Sequence, residues 1–454
     1  MASAATFLHA SRCLNTPPWL FSNRNDSQPL PYSFSPCFCS CSSFSTSSSG
    51  VKNHSKVSAL NASSMSTPAR ENFEWSKGIG IMNEPDHLLV LVHGILAGPN
   101  DWNYVQAELT KRLGRSFLIY ASSCNTYTKT FTGIDGSGKR LAEEVTEVVK
   151  KNERLTKISF LAHSLGGLIA RYAVSLLYAE IVSKKLQETS HEDSFYHGSI
   201  AGLEPQYFIT LATPHLGVRG KNQLPFLLGI PLLERLAVPM APILVGRTGR
   251  QLFLTDGLPQ KRPLLLRMAS DCDGGQFLSS LGSFKCRCAY ANVSYDHMVG
   301  WRTSSIRREN ELVVPPQRSL DGYKHVVEIE YCPPISSSDP KFPPEAAKAK
   351  EAALNEPTSE NTEYHEILEG IFGWPGVIWG LILLHVAEEM IRGLQQLGWM
   401  KVDVSFHSSL WPFFAHNNIH VKNEWFHNAG TGVVAHIADT LKRQFSTPFC
   451  SARL

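Results

Sequence analysis

Strong charge of either sign is largely missing from this sequence. Its 454 residues hold 43 Lys and Arg against 40 Asp and Glu, a formal net charge of +3. The small excess is local: residues 1–70 carry Arg12, Arg24, Lys52, Lys56 and Arg70 against the single acid Asp26, and subtracting this +4 leaves the remainder near −1. Nucleic-acid binding needs clustered Lys and Arg to displace counterions from phosphates, so charge balance gives such a partner no support. Cysteine is also scarce: Cys13, Cys37, Cys39 and Cys41 fall in the first segment, and only six of the 10 are scattered over the body. That usage fits a reducing interior rather than a disulfide framework. Cys286 and Cys288 would share one strand face, too close for a disulfide and alone too few for zinc, so the expectation is free, mostly buried thiols and no metal.

Long apolar runs are scarce too. Residues 1–70 contain none long enough for a secretory core, are roughly one quarter serine and are nearly free of acids. The composition is that of a disordered transit peptide, and the low Arg content points to the chloroplast rather than the mitochondrion. A competing peroxisomal address is the C-terminal Ala452-Arg453-Leu454, within the tail 447–454. Gly370 to Ala387 runs uncharged for about eighteen residues, the lower edge of membrane-spanning length, but Pro375, several glycines and His385 argue against a span. Two readings of Trp374 and Trp379 stay open: peripheral contact with a lipid surface, or plain core or cap packing.

What is present is an alternation of strand-like apolar runs with helical patterns, the mark of a mostly parallel sheet flanked by helices. Leu88 to Val92 is a continuous apolar run ended by His93-Gly94, as expected of a central strand. A helix starting near Asn100 or Asp101, a strand over 116–121 and a helix over 138–151 follow. Further strands are expected at 157–162, 207–212, 287–293 and 402–406, with helices at 165–178 and 431–443. Residues 80–446 thus read as one large domain without internal repeats. Residues 224–250 are apolar and broken by Pro225, Pro231, Pro239 and Pro242, as a cap over a site would be. Residues 333–362, rich in Pro, Ser, Glu, Lys and Ala, read as a mobile insertion.

One serine stands out. Ala162-His163-Ser164-Leu165-Gly166-Gly167 falls where a strand turns into a helix, and such a tight turn needs small neighbours, with Ala162 in the place usually taken by glycine. The turn would lift the Ser164 hydroxyl to the sheet edge and aim a helix N-terminus at a developing oxyanion, although a serine N-cap is the simpler alternative. His93-Gly94-Ile95 follows the first strong strand, where Gly94 lets the backbone turn tightly. The N–H groups of Ile95 and Leu165 are the expected oxyanion donors.

These blocks, together with Gly138 to Val145, Arg171-Tyr172-Ala173 and Ala212-Thr213-Pro214-His215-Leu216-Gly217, resemble the lipase-like serine esterases of plants and fungi (DUF676-type), a branch of the α/β-hydrolases. The resemblance covers about residues 85–320 and 365–445. It implies an α/β-hydrolase fold with a cap inserted after the sixth strand, and a helix ahead of the last strand.

A serine is a weak nucleophile at neutral pH, so a histidine must take its proton and a carboxylate must orient that histidine. In this fold the chain order is Ser, acid, His. The resemblance places the acid in the loop holding Asp296; Asp271 and Asp273 compete but precede the strand before that loop. It places the base in Ala415-His416-Asn417-Asn418-Ile419, giving His416, with His420 in reserve. His215 precedes the acid and reads as a structural part, and His163 as support for the turn. The expected activity is cleavage of acyl esters, with lipids favoured, through an acyl-enzyme and without metal or organic cofactor. An acyltransferase or thioesterase using the same residues, or a non-catalytic membrane-associated protein of this fold, are the alternatives.

Overall fold

The computed structural model describes residues 84–180, 198–219, 231–257, 262–316, 318–335 and 375–443. The Ser-rich segment 1–70, the C-terminal Ala452-Arg453-Leu454 and Trp374 lie outside them, as do most of 333–362, the start of the cap at 224–230 and the side chain of Trp379.

Eleven strands occur in chain order among the described residues. They are β1 (His87–Val92), β2 (Phe117–Ala121), β3 (Lys157–His163), β4 (Tyr178–Glu180), β5 (Gly198–Ile200), β6 (Glu204–Leu211), β7 (Asp271–Cys272), β8 (Gly275–Gln276), β9 (Cys286–Asn292), β10 (Val326–Cys332) and β11 (Trp399–Val404). Seven form the central sheet in the order β10-β11-β9-β6-β3-β1-β2; β4 with β5 and β7 with β8 are small antiparallel pairs. Every pairing in the large sheet is parallel except β10 with β11.

Period-two alternation divides the interior into two cores. Leu88, Val90, Val92, Ile158 and Phe160 face a layer that includes Leu141 and Val145 of α2 (Ile134–Lys151) and Leu168 and Ile169 of α3 (Leu165–Leu177). Leu89, Leu91, Leu161, Ile209 and Tyr290 face the opposite layer, with Val105 and Leu109 of α1 (Asn103–Leu113) and Val434, Ile437 and Leu441 of the closing helix Thr431–Lys442. Each central strand is therefore buried on both faces, which explains why its sequence is apolar throughout rather than alternating.

The chain leaves β1 for the edge strand β2, then crosses back over β1 to β3 and continues outward through β6 and β9. The order reverses between β1 and β3, and a crevice opens at the carboxyl ends of strands at such a reversal. His93-Gly94-Ile95 and Ser164 follow those two strands directly. This is the α/β-hydrolase fold.

The segment expected to form the cap follows β6, sixth in chain order when the small pair β4 and β5 is counted. Its described part is α4 (Pro231–Leu252), which accommodates Pro239 and Pro242 and breaks instead at Val245 and Gly246. Gly246 has φ +58, so the helical ladder cannot continue through it. The helix Pro375–Gln395 precedes β11 as expected, and no helix among the described residues is long and apolar enough to cross a membrane.

Two expectations need correction. Strand β10 was not anticipated: Val326 and Val327 are buried, but Glu328 is half-buried, Ile329, Glu330 and Tyr331 are exposed on this edge, and the two acids break the apolar run. The cysteines are not mostly buried: of the five described, Cys286 and Cys288 are buried, Cys124 and Cys332 half-buried and Cys272 exposed. Cys286 and Cys288 do share one face, with sulfurs 3.4 Å apart.

Candidate active site

The turn at Ser164 is strained for a residue with a β-carbon. Its backbone lies at φ +54 and ψ −129, outside the basins favoured by L-residues. Its surroundings fix it there: the Ser164 N–H donates to Leu211 O at 2.8 Å, and Thr213 Oγ donates to Ser164 O at 2.9 Å. Two glycines permit the close approach. A β-carbon on Gly166 would lie 2.4 Å from Val92 O, and one on Gly167 would lie 2.2 Å from Thr213 Oγ. The same crowding makes Ala162, fully buried, large enough in its place.

Gly94 brings the β1 loop against the turn, where an added β-carbon would stand 2.9 Å from Ser164 Cβ. Ile95 follows it, and Leu165 is the first residue of α3, whose N–H has no carbonyl within the helix to meet. The two expected donors thus belong to the two segments that meet at Ser164. Leu96 takes positive φ and donates to Thr130 Oγ at 3.1 Å, tying this loop to the next element.

Residues far apart in sequence meet at Ser164. His416 Nε2 lies 3.0 Å from Ser164 Oγ, and His416 Nδ1 lies 3.0 Å from Asp296 Oδ2. Asp296 follows β9, and His416 sits in the short helix Ala415–Asn418 after β11. The Asp296 carboxylate accepts three further hydrogen bonds: from Asn292 Nδ2 at 2.8 Å, and from the backbone N–H groups of Met298 and Val299, each at 2.9 Å. Burial pushes its pKa up, but the adjacent His416 and these donors outweigh it and hold the carboxyl below its usual value. An ionised Asp296 accepts, so Nδ1 carries the proton and Nε2 is left to receive one from the serine.

The other histidines are placed differently. His420 is buried with its ring stacked on His163 at 3.9 Å, and no hydrogen bond joins it to Ser164. His163 Nε2 donates to His416 O at 2.8 Å. Burial, then the neighbouring His420 and His416, push the His163 pKa well down, so it stays neutral. His215 is fully buried, bonded to Thr210 Oγ at 3.0 Å, and its carbonyl accepts from buried Arg171. Asp271 accepts from the Leu278 and Ser279 N–H groups in a local turn. Sequence reasoning missed Asn292, which steadies Asp296, and the contact of His163 with the His416 backbone. The first left a signal, an amide side chain four residues before the acid at a strand end; the second left none.

Residues 82–306 match the family described as "Putative serine esterase (DUF676)". The folded domain belongs to this serine esterase family. Its similar relatives include "Putative lipase C4A8.10" of Schizosaccharomyces pombe, 29% identical over 230 residues, covering 48% of this chain and 26% of that protein. "Putative lipase ROG1" of Saccharomyces cerevisiae is 28% identical over 224 residues, covering 48% of this chain and 28% of that one. The chain therefore spans about a quarter of the length of these relatives. Similar solved structures include the mature Bacillus licheniformis lipase BlEst2, at 16% identity and TM-score 0.28 over 47% of this chain and 68% of that one. Aspergillus fumigatus lipase B matches at 12% identity and TM-score 0.29 over 51% of this chain and 42% of that one.

Proposed function

We propose that this protein is a serine hydrolase that cleaves acyl esters, with lipids as substrates, through Ser164, His416 and Asp296. The reading rests on one relay: Ser164 Oγ to His416 Nε2 at 3.0 Å, and His416 Nδ1 to Asp296 Oδ2 at 3.0 Å. In the proposed cycle His416 takes the Ser164 proton as Oγ attacks the ester carbonyl. The N–H groups of Ile95 and Leu165 stabilise the oxyanion, and the alcohol leaves with the proton from His416. Water, deprotonated by His416, then releases the acid. No step needs a metal or organic cofactor.

The lipid part of the reading has its own support. Leu410, Trp411, Phe413 and Phe414 just before His416, and Trp425 and Phe426 just after it, are exposed, with Leu410 and Trp425 each 85% accessible. An apolar aromatic rim of this kind suits a lipid–water boundary. The relatives described as lipases point the same way.

The deciding experiment treats the purified protein with a fluorophosphonate probe and with acyl esters from a lipid extract. Wild type should be labelled and should release fatty acids, and Ser164→Ala should do neither while melting at the same temperature. Acyl products formed with added alcohols would convert the reading to acyl transfer. A folded wild type that is neither labelled nor active would overturn it. We further propose import into plastids, which uptake by isolated chloroplasts tests.

A further inference from the structure

A cavity of about 170 Å³ is lined by Arg247, Arg250, Gln251, Asp256 and Arg267, and Ser164 is not part of its wall. We propose that this cavity is a binding site for a phosphate group, carried by a lipid headgroup or free in solution, with Arg250 and Arg267 as its principal ligands.

The site is built in advance of any ligand. Beyond the break at Gly246, α4 is fixed to the segment ahead of α2 by buried polar side chains. Thr248 Oγ donates to Thr130 O at 2.5 Å and accepts from the Gly133 N–H at 3.0 Å. Gln251 Oε1 accepts from the Ile134 N–H at 2.6 Å, and its Nε2 donates to Asp135 Oδ1 at 2.9 Å. Arg247, Arg250 and Gln251, spaced by three and four residues, consequently present one rigid helix face.

The charges in the cavity are unequally committed. Arg247 pairs with Asp135. Arg250 and Arg267 form no ion pair among the described residues. Arg267 is half-buried, and its Nε is buried without a hydrogen-bond partner. The one acid in the wall is Asp256, whose Oδ2 accepts from the Leu264 N–H at 3.0 Å while its buried Oδ1 has no partner. Burial pushes the Asp256 carboxyl pKa up, against the backbone donors and Arg267, which pull it down. Two guanidinium groups without an ion pair among the described residues line one concave space and suit a tetrahedral oxyanion, which guanidinium groups bind with two parallel hydrogen bonds. The concave shape further concentrates the positive potential.

The helix also carries a feature that a free ion would not require. Met240, Ile243 and Leu244, in the turns just before Arg247, are exposed, with Ile243 75% accessible. Apolar side chains followed by arginines match a lipid surface, where acyl chains lie next to phosphates.

The site is independent of the acyl chemistry, so it is tested by binding on the full chain. Wild type is titrated with inorganic phosphate by calorimetry and sedimented with phosphatidylcholine vesicles with and without phosphatidic acid. Each measurement is repeated with Arg250→Gln, Arg267→Gln, Ser164→Ala and, as a charge control on α2, Lys150→Gln with Lys151→Gln. Binding should weaken roughly tenfold or more in either arginine variant, since each loses a charge-assisted contact. It should persist in Ser164→Ala and in the lysine control. Saturable binding of inorganic phosphate would assign a free phosphate, and binding confined to phosphatidic acid vesicles a lipid headgroup. Arg250 is exposed, so its variant decides the outcome should Arg267→Gln fail to fold. No binding by wild type to either probe, or unchanged binding in folded Arg250→Gln, would overturn the proposal.

Discussion

His163 holds the backbone of His416: its Nε2 lies 2.8 Å from the His416 carbonyl, while the His416 side chain reaches Ser164. A carbonyl only accepts, so His163 carries its proton on Nε2 and acts as a fixed neutral donor. The residue beside Ser164 thereby sets the position of His416. Truncation to alanine should lower kcat roughly ten- to hundredfold with little change in KM, because a displacement of the base costs the chemical step rather than binding. His163→Gln, which keeps a donor, should recover much of the loss. Steady-state kinetics on a soluble ester check both, and equal losses in the two variants would assign His163 to packing alone.

Asp296→Asn should lower kcat by about 10⁴, since an amide facing Nδ1 favours the imidazole tautomer that cannot accept the serine proton. The same substitution changes acid stability. The folded pKa of Asp296 is depressed, so its contribution is complete above the unfolded value of about 3.9 and is lost as pH falls through the folded value. Melting curves of the variant should therefore vary less with pH below about 4 than those of wild type.

Buried neutral histidines set a second window. Burial lowers His87 and His436 from 6.5 to about 4. Their folded values lie below the unfolded one, so the unfolded chain takes up protons first as pH falls. Stability from these groups is complete above about pH 6.5 and declines towards pH 4, by about 3 kcal/mol each at the lower limit. His436→Gln, which can keep the hydrogen bond to Tyr290 Oη, should reduce the fall in Tm across this window. An unchanged slope would remove His436 from the account.

Gly166→Ala should destabilise the domain by about 1–3 kcal/mol, because the new methyl group would meet the carbonyl oxygens of Val92 and His93, which are backbone and cannot rotate aside. Activity should fall further than stability, since relief of the clash moves the Leu165 N–H. Denaturation and turnover of the same sample measure the two effects separately.

The aromatic rim gives a prediction about substrate form. Trp411→Ser with Phe413→Ser should reduce hydrolysis of esters in vesicles roughly tenfold and leave a soluble short-chain ester within about twofold. Equal losses on both substrates would place these side chains in support of the His416 loop instead.

Much of this arrangement was legible in the sequence, for particular reasons. Strands buried on both faces, such as Leu88 to Val92, read as unbroken apolar runs, and the turn at Ser164 needs small residues that no other pressure would gather there. The choice between His416 and His420 was less legible. They lie four residues apart in one segment, and only packing shows that His420 spends its ring face on His163. Strand β10 escaped notice because an edge strand open to solvent carries acids, and its neighbour β11 lies more than sixty residues further along the chain. Arg250 and Arg267 become neighbours only through the fold, so their spacing carried no signal.

The relay joins positions 164, 296 and 416, and the last of these follows the final strand of the sheet. On the proposed mechanism a growing polypeptide therefore acquires its nucleophile long before its base, and Ser164 would stay inert until β11 has docked and the loop behind it has closed. Acyl transfer to this serine would then report completed folding, and a truncated or half-folded copy would be silent towards the esters around it.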